Sequence, residues 1–195
     1  MGEGRNEVSY YPEIELFIEA QIKSNFFALN NTEVDVFWGI GELKKNLLRI
    51  IDENPKKCAC VRKFANTTPP LSLDIFALIT DGNKFKILIL EVKLMNSAGL
   101  KEWSQLVGYC LVSRAQYGLL INIDHGASPR LSEILCVKEN LSHIITIEQQ
   151  ESCEHFLGFM QWDSVTKSFD YSNLGTIKSI SELCRYIAAD FSKEK

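Results

Sequence analysis

Two apolar segments separated by a short polar turn constrain the fold of this chain more than any other feature of its sequence. Residues 72–80, SLDIFALIT, and 84–94, KFKILILEVKL, flank a DGN tripeptide that is typical of a hairpin turn. Beyond Asp74, apolar residues fill both faces of the first segment, and the second is similar. Strands that are buried on both faces lie in the middle of a helix-covered sheet. The sequence therefore predicts a central hairpin within an α/β fold.

The segments on either side of the hairpin have the periodicities of further helices and strands. We expect helices over residues 13–27, 41–54, 97–115 and 179–191. We expect strands over residues 58–64 and 117–123, near 143–148 and within 156–171. The order helix, strand, hairpin of two strands, helix, strand predicts an α/β sandwich.

Three charged residues interrupt the apolar runs of the hairpin. Side chains alternate along a strand, so Glu91 and Lys93 share a face with the apolar residues before them. A two-residue turn places Asp74 opposite or diagonal to Glu91, whereas a three-residue loop without a bulge places them on opposite faces. Two carboxylates that meet on a buried sheet repel each other, so a cation must offset the repulsion. Either a Mg²⁺ ion or a structural ion-pair cluster with Lys93 meets this requirement.

The same residues resemble a known nuclease signature. Asp74, a hairpin and the tripeptide Glu91-Val92-Lys93 are similar to the D…(D/E)xK motif of the PD-(D/E)xK nuclease superfamily. This superfamily includes type II restriction enzymes, Holliday junction resolvases and RecB-type nucleases. One departure is that no proline directly precedes Asp74.

A second motif on the following predicted helix resembles the QxxxY motif of the RecB-type branch. It consists of Gln105 and Tyr109, and the buried apolar segment 117–123 follows it. The resemblance covers about residues 41–123 and implies a restriction endonuclease-like αβββαβ core, a central mixed sheet flanked by helices. We expect a single domain over 1–195, with an N-terminal helical extension over 1–35 and C-terminal α+β additions over 124–195.

The resemblance also implies Mg²⁺-dependent hydrolysis of DNA phosphodiester bonds, with Mn²⁺ as a substitute for Mg²⁺. Asp74 and Glu91 would hold the metal together with the backbone carbonyl of Val92. Lys93 would assist the attacking water. Gln105 would contact that water or a phosphate; an ordinary exposed glutamine on a packing helix is the alternative.

The superfamily often adds an acidic residue from the helix before its first core strand. Glu42 takes this position in the sequence, just after two glycines and beside the apolar face of the predicted helix 41–54. A first-turn glutamate that complements the helix dipole is the alternative role for Glu42. Glu15 and Glu19 on the earlier helix are the rival candidates.

Basic residues concentrate in one part of an otherwise acidic chain. Residues 44–63 carry seven Lys and Arg against two acidic residues, a balance of +5, whereas the whole chain carries −4. The overall charge disfavours nonspecific coating of nucleic acid, and the basic segment favours a local polyanion site; a solvated helix face is the alternative. The residues that we expect to contact DNA are Lys44, Lys45, Arg49, Arg62, Lys63 and Tyr109.

The remaining expectations concern location and partners. No apolar run approaches the ~18–20 residues of a membrane span, and the N-terminus lacks an apolar signal core, which favours a cytoplasmic protein without a membrane partner. DNA is the expected partner, and the C-terminal additions offer a surface for a homodimer. The alternative function is a catalytically inactive nuclease-fold module that binds nucleic acid or a protein partner. A structural protein whose charges merely pair is a third reading.

Overall fold

The computed structural model describes residues 6–137, 141–148 and 151–192. The helices are α1 (Tyr11–Asn30), α2 (Leu43–Glu53), α3 (Arg62–Thr67), α4 (Leu100–Ser113), α5 (Pro129–Val137) and α6 (Ile180–Ser192). The strands are β1 (Asp35–Glu42), β2 (Ser72–Thr80), β3 (Phe85–Lys93), β4 (Tyr117–Ile123), β5 (His143–Glu148), β6 (Glu151–Asp163) and β7 (Ser168–Phe169). The predicted N-terminal extension and C-terminal additions include residues 1–5, 138–140, 149–150 and 193–195, which lie outside the described residues.

The strands form a seven-stranded mixed sheet with the order β1-β2-β3-β4-β6-β5, and β7 pairs with β6. β1, β2 and β3 form an antiparallel meander, and β4 lies parallel to both β3 and β6. β5 and β7 pair antiparallel with β6. Helices α1 and α6 pack on one face of the sheet, whereas α2, α3, α4 and α5 pack on the other. The predicted α/β class, with a mixed sheet between helices, is confirmed.

β2 and β3 form the predicted hairpin in the interior of this sheet. Thr80 pairs with Phe85, so the connecting loop consists of four residues, 81–84, one more than the predicted turn. The Asp81 carboxylate accepts hydrogen bonds from the backbone N–H groups of residues 83 and 84. Most residues of both strands are buried, as their apolar sequences predict.

N-terminal to the hairpin, the structure adds a strand that was not predicted and replaces one predicted strand by helix. Residues 35–42 form β1, where no strand was predicted, and the helix predicted over 41–54 therefore begins at Leu43 as α2. The strand predicted over 58–64 is instead a 3₁₀ turn followed by the start of α3. Val61 and Ala65 are both buried in the layer that contains α2, and their spacing of four residues is that of a helix rather than a strand.

Helix α1 lies along the sheet from the hairpin loop towards the opposite end of the strands. Its buried stripe recurs every four residues, as Ile14, Ile18, Ile22 and Phe26. At the loop end, Phe26 packs edge-to-face on Phe191 of α6, whose carbonyl accepts a hydrogen bond from Lys84. The N-terminus of α1 therefore points to the end of the sheet where β2 begins and β3 ends.

Helix α4 lies directly over β4 because a glycine allows it to approach. A Cβ atom at Gly118 would lie 2.6 Å from Cys110 Sγ on α4 and 2.7 Å from Leu157 Cδ2 on β6. The first turn of α4 is capped by Glu102, whose carboxylate accepts the Gly99 N–H. These contacts fix the helix that carries Gln105 and Tyr109.

Candidate functional site

The charged residues of the hairpin lie together because of the strand register. Ile75 pairs with Leu90, so the continued register sets Asp74 opposite Glu91. On the other side of β2 the register shifts between Gly39 and Gly41, and two residues of β2, Asp74 and Ile75, face the single Ile40 of β1. Bulges of this kind redirect a side chain at the end of a ladder. Asp74 therefore sits where regular pairing of β1 with β2 is interrupted.

Lys93 joins the two carboxylates. Its Nζ lies 2.9 Å from Asp74 Oδ2 and 2.7 Å from Glu91 Oε1. Asp74 Oδ2 also accepts a 3.1 Å hydrogen bond from the Val92 backbone N–H, so the aspartate is held from two directions. Because both carboxylate oxygens contact one nitrogen, they are at most 5.6 Å apart, the sum of the two contact distances. The three predicted residues thus form one cluster.

Burial makes the electrostatics of this cluster unusual. The Glu91 side chain is 0% exposed, and its Oε2 has no hydrogen-bond partner among the described residues. Burial raises the pKa of Glu91 to about 7, the hydrogen bond from Lys93 opposes this rise, and the charge of Asp74 adds to it. Burial alone would lower the pKa of Lys93, but its hydrogen bonds to Glu91 and Asp74 outweigh burial and raise that pKa. One ammonium thus faces two carboxylates.

Asn122 organises the backbone beside the cluster, although it was not among the predicted site residues. It pairs with Lys93 in the β3–β4 ladder and is fully buried. Its Nδ2 donates to the carbonyls of Met95 and Gly126, and its Oδ1 accepts from the Met95 N–H at 3.3 Å. These bonds tie together the loops that follow β3 and β4. A buried amide at the carboxyl end of an apolar strand was the available signal.

Tyr11 and Glu7 lie at the same end of the sheet, and neither was predicted. Trp38 Nε1 donates to Glu19 Oε2 at 3.0 Å, and Trp38 pairs with Ala77 of β2. The eight helical residues from Glu19 back to Tyr11 cover about 12 Å, close to the roughly 10 Å that three strand residues cover from Ala77 to position 74. Tyr11 therefore reaches the level of the carboxylate cluster.

The electrostatics of Tyr11 agree with this placement. Its side chain is buried, and its hydroxyl donates to Glu7 Oε1 at 3.0 Å. Burial raises the pKa of Tyr11, and the charges of Asp74 and Glu7 raise it further. Glu7 also contributes to the raised pKa of Glu91. The site thus includes Glu7, an acidic residue just before α1. The packing of α1 on the sheet brings Glu7 to the site, and the only sequence signal for it is its one-turn spacing from Tyr11.

Gln105 and Tyr109 contact each other on α4. Gln105 Nε2 donates to the Tyr109 hydroxyl at 2.8 Å, and both side chains are half-buried. The hydrogen bond described for Gln105 thus joins the two residues of the motif rather than linking Gln105 to the carboxylate cluster. The predicted contact of Gln105 with a water or phosphate stays a prediction.

Glu42 does not occupy the helical position that was predicted for it. It is the last residue of β1, where it pairs with Ser72, and it precedes α2 as the N-cap residue without a side-chain capping bond. Of its rivals, Glu19 is engaged by Trp38 and Lys23. Glu15 is half-buried, and burial, followed by the charge of Glu19, raises its pKa. Glu42 nevertheless lies at the end of the sheet that holds the cluster, because its partner Ser72 is two residues before Asp74 on β2.

The predicted DNA-contacting residues divide into two groups. Arg49 pairs with Glu53 at 2.9 Å, and Arg62 pairs with Asp52 at 3.0 Å. Arg62 also lies beside the 3₁₀ turn that contacts Thr80, about 20 Å along β2 from Asp74. These two arginines are therefore less available to phosphate than the sequence suggested.

Two of the other basic residues, Lys44 and Lys45, lie nearer to the cluster. Lys44 and Lys45 belong to the first turn of α2, whose first N–H donates to the Leu71 carbonyl just before β2. Lys44 Nζ donates to the carbonyl of Asn66 at the end of α3, whereas Lys45 and Lys63 are exposed. The start of α2 thus carries positive charge to the end of the sheet that holds Asp74.

The cluster suits a divalent cation held by two carboxylates. Mg²⁺ is commonly bound through one or two carboxylates, with waters and substrate phosphates completing its shell. Asp74 and Glu91 supply those two groups, and a cation, the Lys93 ammonium, already lies between them. The buried Oε2 of Glu91 accepts no hydrogen bond from the described part of the chain. Among the described residues, no group of three or more His, Cys, Asp or Glu side chains forms a metal cage. The fit is therefore to a two-carboxylate site.

Compared with models of known protein families, with curated proteins and with solved structures, the chain matches none. Within the part of the chain that the structure describes, no helix combines the length and apolar character needed to cross a bilayer. Functional inference therefore depends on the site itself.

Proposed function

We propose that the chain is a Mg²⁺-dependent nuclease of the PD-(D/E)xK superfamily that hydrolyses DNA phosphodiester bonds. The observation that carries this proposal is the convergence of Asp74, Glu91 and Lys93 at the end of the β2–β3 hairpin. The element order α1, β1, β2, β3, α4, β4 agrees with an αβββαβ core, and α2 and α3 then form an insertion between the first two strands. On this interpretation the core spans residues 11–123 rather than 41–123.

Each residue of the cluster has a role in this proposal. Asp74 and Glu91 would hold Mg²⁺, together with the backbone carbonyl of Val92. The ion supplies Lewis-acid polarisation of the scissile phosphate and lowers the pKa of a bound water. Lys93, relieved of one or both carboxylates, orients the attacking water and stabilises the negative charge of the transition state.

Glu7 is a better candidate than Glu42 for the additional acidic residue. Its carboxylate is positioned by the Tyr11 hydroxyl, and its charge acts on Glu91. Gln105 is proposed to contact the water or a phosphate from α4. Lys44, Lys45 and Lys63 would bind the DNA backbone, since phosphate contacts position a duplex without reading its sequence.

A cleavage assay with matched variants tests this proposal. The protein is incubated with plasmid, linear duplex, single-stranded and branched DNA in Mg²⁺, Mn²⁺ or EDTA. We expect Asp74→Asn and Lys93→Met to lower metal-dependent cleavage at least about 100-fold, because each removes several kcal/mol of transition-state stabilisation. Circular dichroism and melting curves establish that each variant is folded.

The control is a second ion pair on the same strand. Lys86 of β3 lies 3.3 Å from Asp190, and both side chains are buried to a similar extent as Lys93 and Asp74. Asp190→Asn and Lys86→Met should leave cleavage within about threefold of wild type, a change of less than 1 kcal/mol in the barrier. Absence of cleavage on every DNA with every metal would contradict the proposal.

The second candidate is a nuclease-fold module that binds nucleic acid or a protein without cutting. The observation that favours it is that Lys93 already bridges both carboxylates, so the cluster is partly neutralised without a metal. Tight DNA binding in EDTA, together with no cleavage in Mg²⁺ or Mn²⁺, would support this candidate over the first.

A further inference from the structure

The described sheet ends in β1 on one side and in β5, with the two-residue β7, on the other; the outer edges of β1 and β5 differ. An open edge presents unpaired backbone N–H and C=O groups that another strand can pair with, so proteins usually disrupt such edges. At β1, the register shift beside Gly39 and Gly41 breaks the regularity of the strand, and Gly41 has a φ of +83°. β1 therefore carries a device that discourages pairing with another strand.

In the described residues of β5 we find no such device. Its six residues, HIITIE, pair with β6 without a register shift and include neither proline nor lysine. Among the described strands, β6 is its partner, and none pairs with its other edge. Two isoleucines project from it into solvent, with Ile145 57% and Ile147 77% exposed. They alternate along the strand, so they lie on the same face.

The start of β5 is held rigidly against the sheet. The His143 ring stacks on Phe156 of β6 at 4.5 Å between centroids, and Phe156 stacks on Tyr186 of α6 at 4.9 Å. Thr146 in the middle of the strand contacts the buried His155 from the opposite face. The outer edge of β5 is therefore a preformed strand template, which binds a partner at a lower entropic cost than a flexible segment.

We propose that β5 pairs antiparallel with β5 of a second copy of this chain, forming a continuous intermolecular sheet. In an antiparallel pair, two residues opposite each other lie on the same face of the sheet. A two-fold axis perpendicular to the sheet relates the two β5 strands, so one residue of β5 must lie opposite its own copy. When Thr146 is that residue, Ile145 of each copy lies opposite Ile147 of the other. In this register the exposed Ile145 and Ile147 of one copy pack against Ile147 and Ile145 of the other, so the edge is self-complementary.

Charge also favours a second copy over an anionic partner strand. The ladder contains a single basic side chain on β5, His143, whose Nε2 lies 3.5 Å from Glu154 of the neighbouring strand. The centre of the strand, residues 144–147, is uncharged. An uncharged, branched apolar centre matches its own copy without placing like charges opposite each other.

The joined sheet keeps the two candidate sites apart. Seven strand spacings separate one β3 from the other, roughly 34 Å at about 4.8 Å per strand. The antiparallel pairing directs the two β3 strands in opposite directions, so the carboxylate clusters lie at opposite ends of the sheet. The dimer would therefore hold two independent sites, and its existence does not depend on the proposed nuclease activity.

Sedimentation equilibrium tests the dimer directly. We expect wild-type chain to be dimeric at about 100 µM, a concentration that detects even weak association. Ile145→Lys/Ile147→Lys should sediment as a monomer with unchanged circular dichroism. Val165→Lys is the matched control, since Val165 is 87% exposed on a turn away from β5, and it should remain dimeric. A monomeric wild type, or a dimer that survives both lysines, would overturn the proposal.

Mixed disulfide formation tests the register. In a Cys136→Ser background, which removes the exposed native thiol, one preparation carries Ile145→Cys and another Ile147→Cys. Opposed residues on antiparallel strands lie close enough for a disulfide, whereas residues two positions out of register lie about 7–8 Å apart. The mixture should cross-link at least tenfold faster than either preparation alone. Equal cross-linking by a single preparation would contradict the register.

Discussion

Strand β3 carries an ion pair near each of its ends, and the two differ in stoichiometry. Near the hairpin loop, the carboxylate described beside Lys86 is that of Asp190, which also accepts a 2.7 Å hydrogen bond from Tyr117. At the other end, Lys93 faces two carboxylates, and one of them is fully buried. The lysines themselves are 18% and 20% exposed, so burial of the cation does not distinguish the two pairs.

The difference explains why only one of the two pairs resembles a functional site. The pair of Lys86 and Asp190 is balanced in charge, and it ties α6 to the sheet. The cluster around Lys93 retains one carboxylate in excess, and the raised pKa of Glu91 records the cost of burying that charge. A structural role needs one partner for one lysine, whereas an excess buried carboxylate leaves the site poised to accept a further cation.

The largest expected contrast comes from removing each lysine. In EDTA, Lys93→Met should lower the free energy of unfolding by about 3 kcal/mol, because it leaves a buried carboxylate without its cation. Lys86→Met should cost about 1 kcal/mol, since Asp190 is partly exposed and keeps its bond to Tyr117. Urea denaturation measures both values, and Mg²⁺ should stabilise Lys93→Met more than Lys86→Met, because it replaces the missing cation only in the former. Equal losses would erase the distinction between the pairs.

The pH dependence of stability sharpens the comparison further. Because the folded-state pKa of Glu91, about 7, exceeds its ordinary value of 4.5, the folded protein binds this proton more tightly than the unfolded chain. The resulting stabilisation is present below pH 4.5 and is lost as the pH rises through 7. In EDTA, the free energy of unfolding should fall by up to about 3 kcal/mol between pH 4.5 and 8.

Two variants identify the residue responsible for that slope. Glu91→Gln should remove most of the pH dependence, because the amide does not titrate, whereas Asp190→Asn should retain it. Denaturant titrations at pH 5, 6, 7 and 8 provide the measurement. A slope that persists unchanged in Glu91→Gln would assign the titration to another group.

The smallest expected effects concern the backbone at the two ends. Gly41 beside the bulge and Gly82 in the hairpin loop have φ values of +83° and +92°, and a Cβ atom at either position would meet open space. Alanine at either position should cost about 1 kcal/mol of stability because of backbone strain alone. Only Gly41→Ala should also weaken Mn²⁺ binding, by a few-fold, since it alters the strand beside Asp74. Equal binding by both variants would show that the bulge does not position the aspartate.

The proximity of Asp74 and Glu91 could be predicted from the sequence. Side chains alternate along a strand, and a short turn allows few pairing registers between β2 and β3. The buried character of 117–123 was equally readable, since an unbroken apolar run suits a central strand. β1 escaped prediction because its two glycines resemble a loop, and the bulge that needs them is a tertiary feature.

The helical contributions were harder to predict. Tyr11 and Glu7 reach the cluster only because α1 lies along the sheet, which no local pattern specifies. The ion pair of Arg62 with Asp52 likewise depends on how α3 lies beside α2, whereas Arg49 and Glu53 are one helical turn apart and could be paired from the sequence. The short apolar pattern of residues 58–64 fits both the two-residue period of a strand and the 3.6-residue period of a helix, so the sequence alone does not distinguish them.

Metal binding tests the central claim most directly. Mn²⁺ titration, followed by electron paramagnetic resonance at pH 8, should detect a bound ion on wild type and on Asp190→Asn, with binding at least tenfold weaker in Asp74→Asn. Asp74 and Asp190 each pair with a lysine of β3 and are buried to a comparable extent, but only Asp74→Asn removes a carboxylate from the cluster. If wild type binds no Mn²⁺, or if Asp74→Asn binds it as tightly, the cluster at the end of the hairpin is a structural ion pair.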